Sequence, residues 1–187
     1  MTTRERRRSM IRRSLALVIA LLVGACGGGT TPLGTPDPAT ATTTQGRFAL
    51  TFSIDRATVH PSDTVGGAAT LTLLTPGSAT VTGSSTMVGF EFAEVGGAGR
   101  DVVPAPPSDC AVHFVASSGG VVTPIAKSGA VVDGPNADWY RQFLADPVVH
   151  LPAGDWDITA IATFFDGRAC AGQPYDLRTT VRVHVKE

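Results

Sequence analysis

The sequence predicts an all-β domain folded as an antiparallel β-sandwich, and three observations carry that prediction. Apolar and polar residues alternate with period two in several separate runs, the pattern of strands with one buried face. Clusters rich in Gly, Pro, Asp and Ser punctuate those runs at short intervals. Helical spacing occurs in one short stretch, 136–144. About seven to ten short strands with so little helix have nothing to pack on except a second sheet.

Ahead of the strands, Arg4, Arg6, Arg7, Arg8, Arg12 and Arg13 precede an uncharged apolar run and then the small residues Gly24 and Ala25. This is the layout of an export signal, predicted over 1–25. The uncharged stretch from Ser14 to Ala25 is about half of the roughly 20 residues that a membrane-spanning helix needs. From Gly27 to Gly46 the chain alternates Thr, Pro, Ala and Gly with almost nothing large enough to pack, so 26–46 is expected to be a disordered tether. The remaining 47–187 is one domain's worth of chain, long enough to bury a core unaided.

Within that domain, Phe48, Leu50, Phe52 and Ile54 alternate with polar or small residues and predict the first strand. Ala69, Leu71 and Leu73 mark a second, Ala79-Thr80-Val81 a short third, and Val88, Phe90 and Phe92 the inward face of a strand over 87–95. Residues 96–109, with three glycines and Pro104-Ala105-Pro106-Pro107, read as a long loop. A strand over 111–116 follows, then an edge hairpin over 117–134 built on Val121-Val122 and Val131-Val132. Asn136 or Asp138 is placed to cap a short helix bearing Trp139, Tyr140 and Phe143. The best strand has Trp156, Ile158, Ala160, Ala162 and Phe164 on one face, and Val181, Val183 and Val185 mark the closing strand.

Two stretches resemble known families. Leu21-Leu22-Val23-Gly24-Ala25-Cys26 resembles the lipobox of bacterial lipoproteins, with Val23 for the usual Leu and Gly24 for the commoner Ala or Ser. The resemblance implies a thioether-linked diacylglycerol on Cys26 and a domain anchored by lipid to the bacterial membrane or envelope on its extracytoplasmic side; a plain secretory signal cut after Ala25 is the alternative. Around Leu151–Ala160 the chain is similar to the penultimate corner of immunoglobulin-like and fibronectin-III-like domains, where an aromatic follows Leu-x-x-Gly-x; Trp156 stands where those families place Tyr. No cysteine lies two positions beyond it, so the intersheet disulfide of antibody domains is absent.

With Cys26 assigned to lipid, Cys110 and Cys170 remain as a pair in an oxidising compartment, where a disulfide is the default. Closing a loop of about 60 residues contributes roughly 4 kcal/mol in the chain-entropy description. If the strand beginning near Cys110 pairs antiparallel with the strand ending near Phe165, the two cysteines fall at the same end of the sandwich.

Composition narrows function by exclusion. The first 25 residues carry +5, and taking this from the chain's formal −1 leaves −6 on the remainder, whose only lysines are Lys127 and Lys186. That argues against nucleic-acid binding. No nucleophile elbow, P-loop or zinc-protease motif is present, and no catalytic residue, cofactor or metal site is assigned. His60, His113, His150 and His184 are scattered; His113 and His184 share outward strand positions that could sit in one sheet. Asp133, Asn136 and Asp138 offer oxygens without a standard calcium spacing, and Asp155 and Asp157 form a carboxylate pair without a pocket. The aromatics Trp139, Tyr140 and Phe143 are the candidate interaction patch, set against a role capping one end of the sandwich. The expectation is a non-catalytic, lipid-anchored envelope module, structural or binding a protein or glycan partner; the alternative is an envelope metal-handling lipoprotein using surface His and Asp.

Overall fold

A computed structural model of the chain describes residues 37–84, 86–104, 112–129, 134–171 and 173–187. In chain order the elements are β1 (Ala39–Gln45), β2 (Phe48–Ile54), β3 (Thr58–Val59), β4 (Gly67–Leu73), β5 (Ser78–Gly83), β6 (Gly89–Val95), β7 (Asp101–Val102), β8 (Val112–Ser117), β9 (Val121–Pro124), α1 (Ala137–Ala145), β10 (Gly154–Asp166) and β11 (Tyr175–Val185). They form two sheets. One has the order β1-β2-β4-β9; the other runs β3-β11-β10-β5-β8, with β6 also on β10 and β7 on β6. All pairings are antiparallel except that of β3 with β11.

The alternation in the sequence decides which side chains meet between the sheets. Phe48, Leu50, Phe52 and Ile54 from β2, with Ala69, Leu71 and Leu73 from β4, are buried against Trp156, Ile158, Ala160, Ala162 and Phe164 of β10. Leu177, Val181, Val183 and Val185 of β11 complete the same core, and its rings make edge contacts, Phe48 on Phe164 at 4.9 Å among them. The long strand β10 is the hinge of the second sheet because its two halves have different neighbours. Residues 155–161 pair with β6, whereas 164–166 pair with β5.

The outer faces differ in chemistry. On the β10–β11 face, Arg182 grips Asp157 with two hydrogen bonds of 2.8 Å, and His184 meets Asp155 at 2.6 Å. The β1–β2 face instead carries hydroxyl pairs, Thr40 with Ser53 and Thr42 with Thr51.

Several expectations need correction. The stretch 39–45, expected within the disordered tether, is a full strand paired residue for residue with β2. It lacks large apolar residues, but β-branched Thr suits a pleated edge, and Ala39 and Ala41 pack on the core. Strand β7 lies within 96–109, expected to be a loop, and β3 falls where no element is expected; each has two residues and is defined only by its partner. Val121-Val122 do form an edge strand, but it pairs with β4 rather than folding back as a hairpin, and 130–133 lie outside the described residues. Gly120, at φ +79°, makes this crossing from one sheet to the other possible: a Cβ there would sit 2.5 Å from Thr70 Cγ2. Finally, β8 does not adjoin β10. Strand β5 lies between them, so β8 runs parallel to β10, one strand removed. The start of β8 still reaches the end of β10, because Val112, Gly83 and Phe164 form one cross-strand row.

Candidate functional site

The helix α1 sits at the end of the sandwich where β6 ends and β10 begins. Asn136 occupies its N-cap position, but its side chain donates to Ala98 O instead of capping the helix. Helical spacing brings Trp139 and Phe143 to one side, where Trp139 stacks on Phe143 at 5.0 Å and on Trp156 at 5.7 Å. Phe143 also meets Phe92 edge-on at 5.3 Å. The Tyr140 hydroxyl accepts the backbone N–H of Asp101, which fastens the helix to β7.

Against this stack lies an ion pair that the sequence does not single out. Glu94 is the cross-strand partner of Trp156 and follows Phe90 and Phe92 on the inward face of β6. Its side chain is only 5% exposed, and Arg100, 18% exposed, neutralises it through Nε and Nη2. The Arg100 guanidinium also lies 5.3 Å from the Trp156 ring and 5.5 Å from the Trp139 ring. Hydrogen bonding from Arg100 holds the Glu94 carboxyl below its usual range, against the opposing effect of burial. The parity of Phe90, Phe92 and Glu94 was the sequence signal that could have found this pair.

Beside the same face of α1 an open depression of about 280 Å³ is lined by Pro61, Lys127, Trp139, Gln142, Phe143, Asp146, His150, Leu151 and Pro152. Lys127 reaches in over the Phe143 ring, 4.4 Å from its centre, and donates to Val148 O. Desolvation pushes its ammonium below the ordinary lysine value. Asp146 accepts from the Val148 N–H and pairs with His150 at 2.9 Å; these contacts hold its carboxyl low, the Val148 bond first. The depression therefore presents an ammonium, an ionised carboxylate bonded to an imidazole, and the Gln142 amide. Among the described residues no Ser, Thr or Cys lines it.

The expected patch is thus divided. Phe143 is 5% exposed and belongs to the core, while Trp139 and Tyr140 are half-buried against it. Trp139 is already engaged with three neighbouring rings and a guanidinium. The end-capping role is the one this packing describes.

The other candidate groups are spent locally. Asp138 pairs with Arg141, Asp155 with His184 and Asp157 with Arg182, while Asp133 lies outside the described residues. His113 and His184 do share a sheet, yet β5 and β10 separate their strands, a span of about 14 Å that no single ion bridges. His113 bonds Thr82 Oγ1 instead, and His60 lies near Asp63. Among the described residues no group of three or more His, Cys, Asp or Glu could hold a metal ion, and no helix is long and apolar enough to cross a membrane. Cys170 stands in a bonded state beyond the end of β10; Cys26 and Cys110 lie outside the described residues. Comparison with protein-family models, with curated proteins and with solved structures found no match.

Proposed function

We propose that this chain is a lipid-anchored, non-catalytic envelope protein with an immunoglobulin-like domain that binds a protein or glycan partner on the extracytoplasmic side. The observation that carries the binding role is the depression beside α1, where Lys127, Gln142 and the Asp146–His150 pair converge on one small space. Convergent polar groups over an apolar floor are the usual make-up of a ligand site.

Two features support the immunoglobulin-like assignment. The order β11-β10-β6-β7 opposite β2-β4-β9 matches the G-F-C-C′ and A-B-E arrangement of that family. In addition, the Trp156 Nε1–H donates to Pro152 O at 2.9 Å, much as the corner tyrosine of those domains bonds to backbone a few residues upstream. A Cys110–Cys170 disulfide belongs to the same proposal. The Thr82 hydroxyl touches both His113 and Gly167 O, so the chain leading out of Cys110 and the chain leading into Cys170 are held together.

The lipid anchor rests on the sequence from Leu21 to Cys26. The test is detergent-phase partitioning and envelope pull-down of the full chain, compared with Cys26→Ser and Lys127→Met. Loss of membrane fractionation in the first variant and of a captured partner in the second is expected. Membrane fractionation of Cys26→Ser would overturn the anchor, and an unchanged partner profile with Lys127→Met would overturn the site.

A further inference from the structure

We propose that β8 is a pairing edge for a second copy of this chain, joined antiparallel about a two-fold axis through Val115. Edge strands offer unpaired backbone groups and are normally protected by shortness, proline, charge or cover. Strands β3 and β7 have two residues each, β9 has four and ends in Pro124, and β1 is preceded by Pro38 and holds Asp176 N–H through Gln45. Among the described residues, strand β8 has none of these devices. It runs for six residues without Pro, Asp, Glu, Lys or Arg, and among the described residues it pairs only with β5.

The ladder shows which of its groups face outward. Thr80 O accepts from Gly167 N, so Thr80 points its backbone toward β10, whereas Gly77 O accepts from Ser118 N and points toward β8. In an antiparallel pair this alternation makes Ala79, Val81 and Gly83 the residues bonded to β8. The N–H and C=O of His113 and Val115 therefore point away from β5, toward the free edge. Val115 is at the same time 62% exposed, an apolar side chain on that edge.

A two-fold axis through Val115 places it opposite its own copy, His113 opposite Ser117 and Phe114 opposite Ala116. Apolar residues then meet apolar ones, and no like charges are opposed. The strand complements itself, which favours a second copy over a foreign strand.

The experiment is oxidative cross-linking of full-length single-cysteine additions, with the unsubstituted chain as the background for its native cysteines. In the proposed register the two Val115 Cα atoms lie about 5.5 Å apart, within disulfide reach. The two Ser117 Cα atoms lie about 14 Å apart. Val115→Cys is expected to give a cross-linked dimer at least tenfold faster than Ser117→Cys, and Val115→Lys, with an unchanged circular dichroism spectrum, to shift the chain from dimer to monomer in sedimentation equilibrium. No dimer with Val115→Cys, equal rates for both variants, or an unchanged dimer with Val115→Lys would overturn it. Because partner capture through Lys127 is read separately, either idea can fail without the other.

Discussion

Replacing Glu94 by Gln tests whether the buried ion pair holds the helix-capped end of the domain together. The substitution keeps the shape but removes the negative charge that compensates Arg100, whose side chain is 18% exposed and lies against two indole rings. Breaking a fully buried pair from one side costs about 3–5 kcal/mol; with Arg100 partly hydrated and its ring contacts kept, about 2–3 kcal/mol is the expectation here. For a domain of this size that lowers Tm by roughly 4–12 °C. The pH dependence sharpens the test. Because the folded-state pKa of Glu94 is depressed below its ordinary 4.5, its contribution is fully present above that value and lost as pH falls through the folded pKa. The gap between the parent and Glu94→Gln should therefore be widest at neutral pH and close in acid. Urea unfolding across that range, with Arg100→Met and the double variant completing a cycle, measures the coupling. A loss under about 1 kcal/mol at neutral pH, or a gap that does not narrow in acid, would refute the reasoning.

Three further outcomes follow from the same geometry. Lys127 has a folded-state pKa below its ordinary 10.5, so in the window beneath that value the unfolded chain binds more protons and stability rises with pH; unfolding curves of Lys127→Met should lack this alkaline rise. Phe143→Ala removes the ring that joins α1 to Phe92 and Trp139 and should cost about 3–5 kcal/mol by chemical denaturation, with loss of the near-ultraviolet tryptophan signal. Thr82→Val strips a fully buried hydroxyl from Gly167 O and His113, for about 1–3 kcal/mol by the same assay, and should raise the accessibility of the Cys170 loop to protease.

The strands with large apolar residues were legible because burial itself selects the alternation: Phe48 to Ile54 and Trp156 to Phe164 can form a single buried face in only one register. Strand β1 was not, because its stability comes from its partner. Thr40 and Thr42 gain cross-strand hydroxyl bonds, and the whole strand a backbone pairing, that no local pattern announces. The position of β8 was misjudged for a related reason. Sequence order put 111–116 after β6, but spatial order depends on β5 and β6 dividing one edge of β10 between them, and nothing within either strand records that division. Of the site, the aromatics of α1 were visible from their spacing. Asp146 and His150 share the turn after α1, but Lys127 comes from a separate segment and meets them only through the fold.

An aromatic trio on a short helix fits a recognition surface and an end cap equally well while only composition is considered. What separates the two is whether the ring faces are already occupied. Trp139 has stacked contacts to Phe143 and Trp156, an edge contact to Tyr140 and Arg100 above it, so a partner would displace packing worth about as much as the contact it made. The capped end thus acts as a rigid wall. Under the proposed binding role, recognition falls to groups that the wall positions without consuming: the Gln142 amide, the Lys127 ammonium above Phe143, and the Asp146–His150 pair on the turn that follows α1. Those groups owe their placement to the rings, so a ring deletion should weaken binding only as far as it loosens the helix, whereas Lys127→Met should weaken binding while leaving the helix in place.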